Sequence, residues 1–148
     1  MAQTHTIDVL LVEDDEDHAE LVRRNLMSQP MKCRIVHVNN GESALDYLHR
    51  RGAFAAPESS PRPDLVLLDL RLPRVDGMTV LAEIKATPGL MTIPVVVLTS
   101  SAADPDVTQA YNRHANSYLV KPLDLTSFEA LMKELGLYWF SWNQSPRA

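Results

Sequence analysis

Apolar and polar positions along the chain fall into two alternating rhythms. Short apolar runs at residues 7–12, 34–38, 65–69, 95–99 and 117–120, rich in Val, Ile and Leu, predict strands. Between them, apolar residues recur at helical spacing: Ala19, Val22 and Leu26; Ala44, Leu45 and Leu48; Val80, Leu81 and Ile84; and Phe128, Leu131 and Leu135. Val107, Ala110 and Tyr111 suggest a weaker helix between the last two strands. Five strand-helix units predict an α/β fold, a doubly wound five-stranded parallel sheet with helices on both faces. Such a sheet gathers its site at the carboxyl ends of the strands.

Two segments break this rhythm. Residues 51–63 contain Pro57, Pro61 and Pro63 and read as a loop between the second helix and the third strand. After the last helix, Leu137-Tyr138-Trp139-Phe140-Ser141-Trp142 forms an aromatic cluster followed by a polar tail. The expected organisation is an N-terminal tail over 1–6, one domain over 7–136 with an insertion at 51–63, and an aromatic extension over 137–148.

Composition narrows the classes of function. A chain of 148 residues with 45% hydrophobic content can bury one core and fits one domain. The net charge of -5, without a dense Lys/Arg run, argues against a nucleic-acid surface. Cys33 is the single cysteine, so no internal disulfide or Cys-rich zinc site is expected, and a small buried hydrophobe is its predicted role. Residues 1–6 lack the basic start and apolar core of a signal peptide, and no apolar segment approaches the roughly 20 residues that span a bilayer, so a cytoplasmic protein is expected. None of His5, His18, His37, His49 and His114 has a partner at metal-ligand spacing, and all five read as surface or packing residues.

The predicted strand ends carry the chemistry. The first ends in Glu13-Asp14-Asp15, the third in Asp69, the fourth in Thr99-Ser100-Ser101 and the fifth in Lys121-Pro122. Clustered carboxylates repel one another unless a cation lies among them, and oxygen donors of this type suit Mg²⁺. A carboxylate beside Mg²⁺, a hydroxyl and an ammonium can attack phosphorus, because the cations neutralise the phosphoryl oxygens. The product is an aspartyl phosphate.

Taken together, Leu11-Val12-Glu13-Asp14, Leu68-Asp69, Leu72-Pro73-Arg74-Val75-Asp76-Gly77, Val97-Leu98-Thr99-Ser100 and Tyr118-Leu119-Val120-Lys121-Pro122 resemble, in order, the motifs of the receiver domain of two-component response regulators. The resemblance spans about residues 7 to 136 and implies the flavodoxin-like receiver fold with strand order 2-1-3-4-5. The insertion and aromatic tail are similar to those of stand-alone regulators partnered with phytochromes. By resemblance, Asp69 is the phosphoacceptor, Asp14 the direct Mg²⁺ ligand, Glu13 the second acid, and Arg71 the residue whose carbonyl completes the metal site. Thr99 and Lys121 contact the phosphoryl group, Tyr118 is the aromatic switch, Asp15 is a bystander, and Lys121-Pro122 is a candidate cis bond. Arg71 and Ser101 occupy positions that tune access of hydrolytic water.

The function implied is phosphoryl transfer from a sensor histidine kinase to Asp69, with slow hydrolysis, a conformational switch or onward phosphorelay, and no independent enzyme activity. A downstream phosphotransfer or target protein is a further expected partner, and a homodimer through the tail aromatics is expected over their folding back; nucleic acid and membrane are not expected partners. Each residue also has an ordinary reading: Asp69 as a turn cap, Asp14 and Asp15 as solvated helix charges, Thr99 as a strand-end hydroxyl, Lys121 as a surface lysine. Competing functions are a phosphorylation-independent interaction module, a haloacid dehalogenase-type phosphatase, and a flavodoxin-like nucleotide or flavin binder. The phosphatase resembles Asp-x-Asp at its nucleophile, whereas position 71 here is Arg; the binder needs a Gly-rich phosphate loop, which is absent.

Overall fold

In the computed structural model, described for residues 6–29, 32–100 and 102–142, five parallel strands form one sheet in the order β2-β1-β3-β4-β5. The strands are β1 (Ile7–Val12), β2 (Cys33–Val38), β3 (Leu65–Leu68), β4 (Val95–Thr99) and β5 (Ser117–Val120). The helices are α1 (Glu16–Met27), α2 (Gly41–His49), α3 (Gly77–Ala86), α4 (Asp104–Asn112) and α5 (Leu125–Gly136). The five strand-helix units are those the apolar rhythm predicts, and the strand order is that of the flavodoxin-like receiver fold implied by the resemblance.

Each central strand is apolar on both faces, because each face meets helices. Leu10, Val12, Val66, Leu68, Val95 and Val97 pack against α2, α3 and α4 through Ala44, Leu48, Val80, Leu81, Ile84 and Ala110. Val9, Leu11, Leu65, Leu67, Val96 and Leu98 pack on the other face against α1 and α5 through Ala19, Val22, Leu26, Phe128, Met132 and Leu135. The register Val9↔Leu65 through Val12↔Leu68 aligns β1 with β3, so the residues following both strands emerge side by side.

Helix starts are set by side-chain caps. Asp15 accepts from the amides of Asp17 and His18, Asn40 from Ser43, and Asp124 from Ser127. Asp15 is thus occupied at the start of α1.

Several details differ from the sequence reading. The strand β2 begins at Cys33, which is half-buried against the α1/α5 layer, and burial pushes its thiol up to about 11. Tyr111 is 49% exposed, because the short α4 buries only Ala110 of its expected apolar face. Met132, rather than Leu131, is the fully buried residue in the middle of α5.

The proline-bearing stretch 51–63 folds into two single-turn 3-10 helices, Gly52–Phe54 and Pro57–Ser59. Phe54 packs edge-on against Tyr47, the Tyr47 hydroxyl donates to the Pro61 carbonyl at 2.8 Å, and Ser60 Oγ donates to the Phe54 carbonyl at 3.0 Å. The aromatic segment Leu137–Trp142 continues α5 as a π-helix. Phe140 folds into the α1/α5 core, Trp139 packs partly against it, and Leu137 and Tyr138 remain about half exposed; the Trp142 side chain lies outside the described residues. No helix among the described residues is long and apolar enough to cross a membrane.

Candidate functional site

Parallel pairing brings the carboxyl ends of β1, β3, β4 and β5 to one edge, where a cavity of about 210 Å³ is lined by Glu13, Asp14, Asp69, Thr99 and Lys121 among others. The backbone sets these positions. The Glu13 amide donates to the Val38 carbonyl at 3.0 Å, the Asp69 amide to Val12 at 3.0 Å, and the Lys121 amide to Thr99 at 2.8 Å. Sheet hydrogen bonding thus extends one residue past each of these strands, and the polar side chains follow immediately.

The loop after Asp69 is pressed close to it. A Cβ on Gly77 would lie 2.3 Å from the Asp69 carbonyl oxygen, and one on Gly41 would lie 1.9 Å from the Val75 carbonyl oxygen. Only glycine permits those approaches. Folded back in this way, the loop brings the Arg71 amide to Asp69 Oδ1 at 3.2 Å. The Arg71 guanidinium reaches α4 instead, pairing with Asp106 at 2.8 Å.

At the centre, Lys121 Nζ lies 2.5 Å from Glu13 Oε1 and 3.1 Å from Asp69 Oδ2. All three side chains are buried, and Thr99, fully buried, hydrogen-bonds Asp69. Burial, reinforced by the Asp69 charge, pushes the Glu13 carboxyl up to about 7 against the pull of Lys121. Burial also opposes ionisation of Asp69, but the Lys121 charge together with hydrogen bonds from Lys121, Glu13 and Thr99 outweighs it and holds Asp69 below the usual carboxylate range. The two acids are driven apart, with Asp69 kept as a carboxylate.

Carboxylate oxygens of Glu13, Asp14 and Asp69 lie within 4.8 Å of one another. An all-oxygen donor set with two buried members and one exposed fits a hard divalent cation, with the exposed Asp14 facing its entry. Asp15 lines the same cavity while capping α1.

Of the remaining expectations, Tyr118 lies on β5 paired with Val97, half-buried against the α2/α3/α4 layer. Ser101 lies outside the described residues. No peptide bond among the described residues is cis, which corrects the expectation for Lys121-Pro122; the lysine stem carries the ammonium into the site across a trans bond.

His18 is the site residue the sequence reading missed. Its Nδ1 lies 3.0 Å from Lys121 Nζ, and its ring stacks on Phe128 of α5. The Asp15 cap was the available signal: it places residue 18 in the first helical turn, where side chains tilt back toward the N-terminus and the strand ends.

The family model of the response regulator receiver domain matches residues 9–133. The chain is 45% identical over 140 residues to the probable methanogenesis regulatory protein FilR2 of Methanothrix harundinacea (strain 6Ac), covering 93% of this chain and 86% of that protein. It is 39% identical over 140 residues to response regulator Rcp1 of Synechocystis sp. (strain ATCC 27184 / PCC 6803 / Kazusa), covering 95% and 93% of the two chains. The Mn²⁺-bound crystal structure of Rcp1 superposes with a TM-score of 0.89 at 38% identity, covering 95% of this chain and 99% of that one. The crystal structure of the phosphorylated cyanobacterial phytochrome response regulator RcpA superposes with a TM-score of 0.91 at 37% identity, covering 96% and 99%.

Proposed function

The chain belongs to the response regulator receiver domain family, and on that premise we propose that Asp69 accepts a phosphoryl group from the phosphohistidine of a sensor histidine kinase. A receiver is a signalling protein and not a classical enzyme, and its site takes a divalent metal. The observation that carries the assignment to Asp69 is its setting: a buried carboxyl group 3.1 Å from the Lys121 ammonium, beside the buried Thr99 hydroxyl, at the wall of the cavity.

In the transfer, an Asp69 carboxylate oxygen forms a bond to phosphorus as the phosphorus–nitrogen bond to the kinase imidazole breaks, and the bonding pair leaves with that nitrogen. Lys121 and Thr99 bear on the phosphoryl oxygens, where negative charge is concentrated. Glu13, Asp14, Asp69 and the Arg71 carbonyl would hold Mg²⁺, which when bound would supply further neutralisation of those oxygens. Slow hydrolysis returns the carboxylate.

The signal leaves through a two-state change in which Thr99 moves toward the phosphoryl group and Tyr118 turns inward on β5, altering the face read by partners. The domain over 7–136, with its insertion at 51–63, carries this chemistry, and the extension from 137 onward supplies half-exposed Leu137 and Tyr138 for a second copy of the chain. Likeness to RcpA supports a phytochrome kinase as the donor, and the cytoplasm is the proposed site of action. Output passes to a downstream target or onward phosphotransfer protein.

Intact mass after incubation with Mg²⁺ and acetyl phosphate tests the proposal. One phosphoryl mass is expected on the wild-type chain, and none on Asp69→Asn or in the presence of a chelator. No gain under conditions that modify another receiver would overturn it and leave an interaction module that works without phosphorylation.

A further inference from the structure

Lys121 carries three N–H donors, and the structure shows a partner for each: Glu13 Oε1 at 2.5 Å, His18 Nδ1 at 3.0 Å and Asp69 Oδ2 at 3.1 Å. An ammonium has no lone pair to offer. Nδ1 of His18 is therefore the acceptor in this contact, and the neutral ring carries its proton on Nε2. The ring is itself held. His18 lies in the first turn of α1, capped by Asp15, and its face stacks on Phe128 of α5 at a centroid distance of 6.2 Å.

We propose that His18 is a positioning residue for the phosphotransfer reaction, one of two fixed acceptors that aim the third N–H of Lys121 at Asp69. Two tethers are needed because a lysine stem has many rotamers and one acceptor leaves the ammonium free to swivel. Glu13 from β1 and His18 from α1 fix two of its directions, and the remaining N–H points to Asp69 Oδ2. When Asp69 gains its phosphoryl group, that N–H passes to a phosphoryl oxygen while the contacts to Glu13 and His18 persist. No rearrangement of Lys121 is then required during transfer, the condition under which a charged group contributes most to a transition state. His18 touches neither phosphorus nor Asp69 in this scheme; it acts through Lys121.

The inference rests on the receiver reading of Asp69 and is tested separately from it. His18→Phe preserves an aromatic ring against Phe128 but has no acceptor, whereas His18→Asn places a carbonyl oxygen near the position of Nδ1. The initial rate of phosphoryl gain from acetyl phosphate with Mg²⁺ is expected to fall several-fold in His18→Phe and to return toward wild type in His18→Asn. Equal rates in wild type and His18→Phe, or equal losses in both variants, would overturn the proposal, the second because a restored acceptor would then restore nothing; a loss in His18→Asn alone would assign the effect to the ring stack. A second readout needs no phosphorylation: long-range ¹H–¹⁵N spectra of the histidine rings are expected to show His18 as the Nε2–H tautomer with Nδ1 accepting a hydrogen bond, and the Nδ1 resonance is expected to shift in Lys121→Met. An unchanged His18 signal in Lys121→Met contradicts the contact, even if the wild-type chain takes up phosphate. A wild-type chain that takes up none while keeping the tautomer sinks the receiver chemistry and leaves the tether standing.

Discussion

Two acid pairs flank the same block of sheet and do opposite things. Asp8 and Asp64 precede the aligned apolar segments of β1 and β3, while Glu13 and Asp69 follow them. All four are deeply buried, at 6%, 9%, 2% and 7% exposure. Burial therefore does not distinguish them; their surroundings do. At the amino end, Asp64 Oδ2 accepts from the Asp8 amide at 2.9 Å, and Asp8 Oδ1 accepts from Arg34 at 2.7 Å. Those partners come from strand backbone and from an arginine on the edge strand that is itself 58% exposed. At the carboxyl end, the counter-charge is a lysine side chain only 4% exposed, shared between both acids and facing a cavity. One pair is tied into the sheet's own hydrogen bonding; the other shares a buried lysine at the wall of a cavity.

The largest effect separating the two ends is on phosphoryl acceptance. Asp69→Asn is expected to abolish it, whereas Asp64→Asn lowers the urea midpoint and leaves the mass gain in place. Phosphorylation of Asp69→Asn to the wild-type extent would break the contrast. Next in size is removal of the counter-charges. Lys121→Met leaves two buried acids without their cation and is expected to cost about 3 kcal/mol, part of it restored by a divalent metal. Arg34→Met, which removes the mostly solvent-exposed partner of buried Asp8, is expected to cost about 0.5–1 kcal/mol. Urea titrations with and without Mg²⁺ check both values, and equal losses would erase the distinction.

A smaller effect sharpens the account of the amino end. Burial, together with the nearby Asp8 charge, pushes the Tyr47 hydroxyl up to about 12. Its unfolded-state value is about 10, so above that pH the unfolded chain sheds the proton first. The stabilisation is fully present below about pH 10 and is lost as pH rises through about 12. Tyr47→Phe is expected to cost about 1 kcal/mol near neutral pH through loss of the bond to Pro61, and to flatten the alkaline fall of the urea midpoint. An unaltered alkaline limb in the variant would remove Tyr47 from the account. The smallest effect expected is at Arg71, whose guanidinium is 72% exposed and tied to Asp106 on α4. With that cover removed from the loop beside Asp69, Arg71→Ala is expected to shorten the lifetime of the phosphorylated state. Superimposable decay curves for variant and wild type would contradict this.

The two ends were unequally legible in the sequence. Strands buried on both faces announce themselves as unbroken apolar runs, and polar side chains at the ends of such runs stand out, so Glu13, Asp14, Asp69, Thr99 and Lys121 were all visible. Asp8 was not, because a single acid among Ile7, Val9 and Leu10 does not disturb an apolar run, and its contact with Asp64 depends on the register between β1 and β3. His18 was hidden for a related reason: its role requires a lysine 103 residues away to reach the first turn of α1. Hydrophobic period also cannot say how much of a short helix is covered, which is why Tyr111 faces outward. The tail aromatics were visible as a cluster, but that Phe140 enters the α1/α5 core while Tyr138 stays half exposed is set by the π-helical continuation of α5.

The central claim is that, among these similarly buried acids, Asp69 alone is poised to react. Reductive trapping tests it most directly: the chain is treated with acetyl phosphate and Mg²⁺, reduced with borohydride to convert an aspartyl phosphate into homoserine, and mapped by peptide mass spectrometry. Homoserine at position 69 and at no other acid is the predicted result. Homoserine at position 8, 14 or 64, or an acid-stable phosphate elsewhere, would contradict the account.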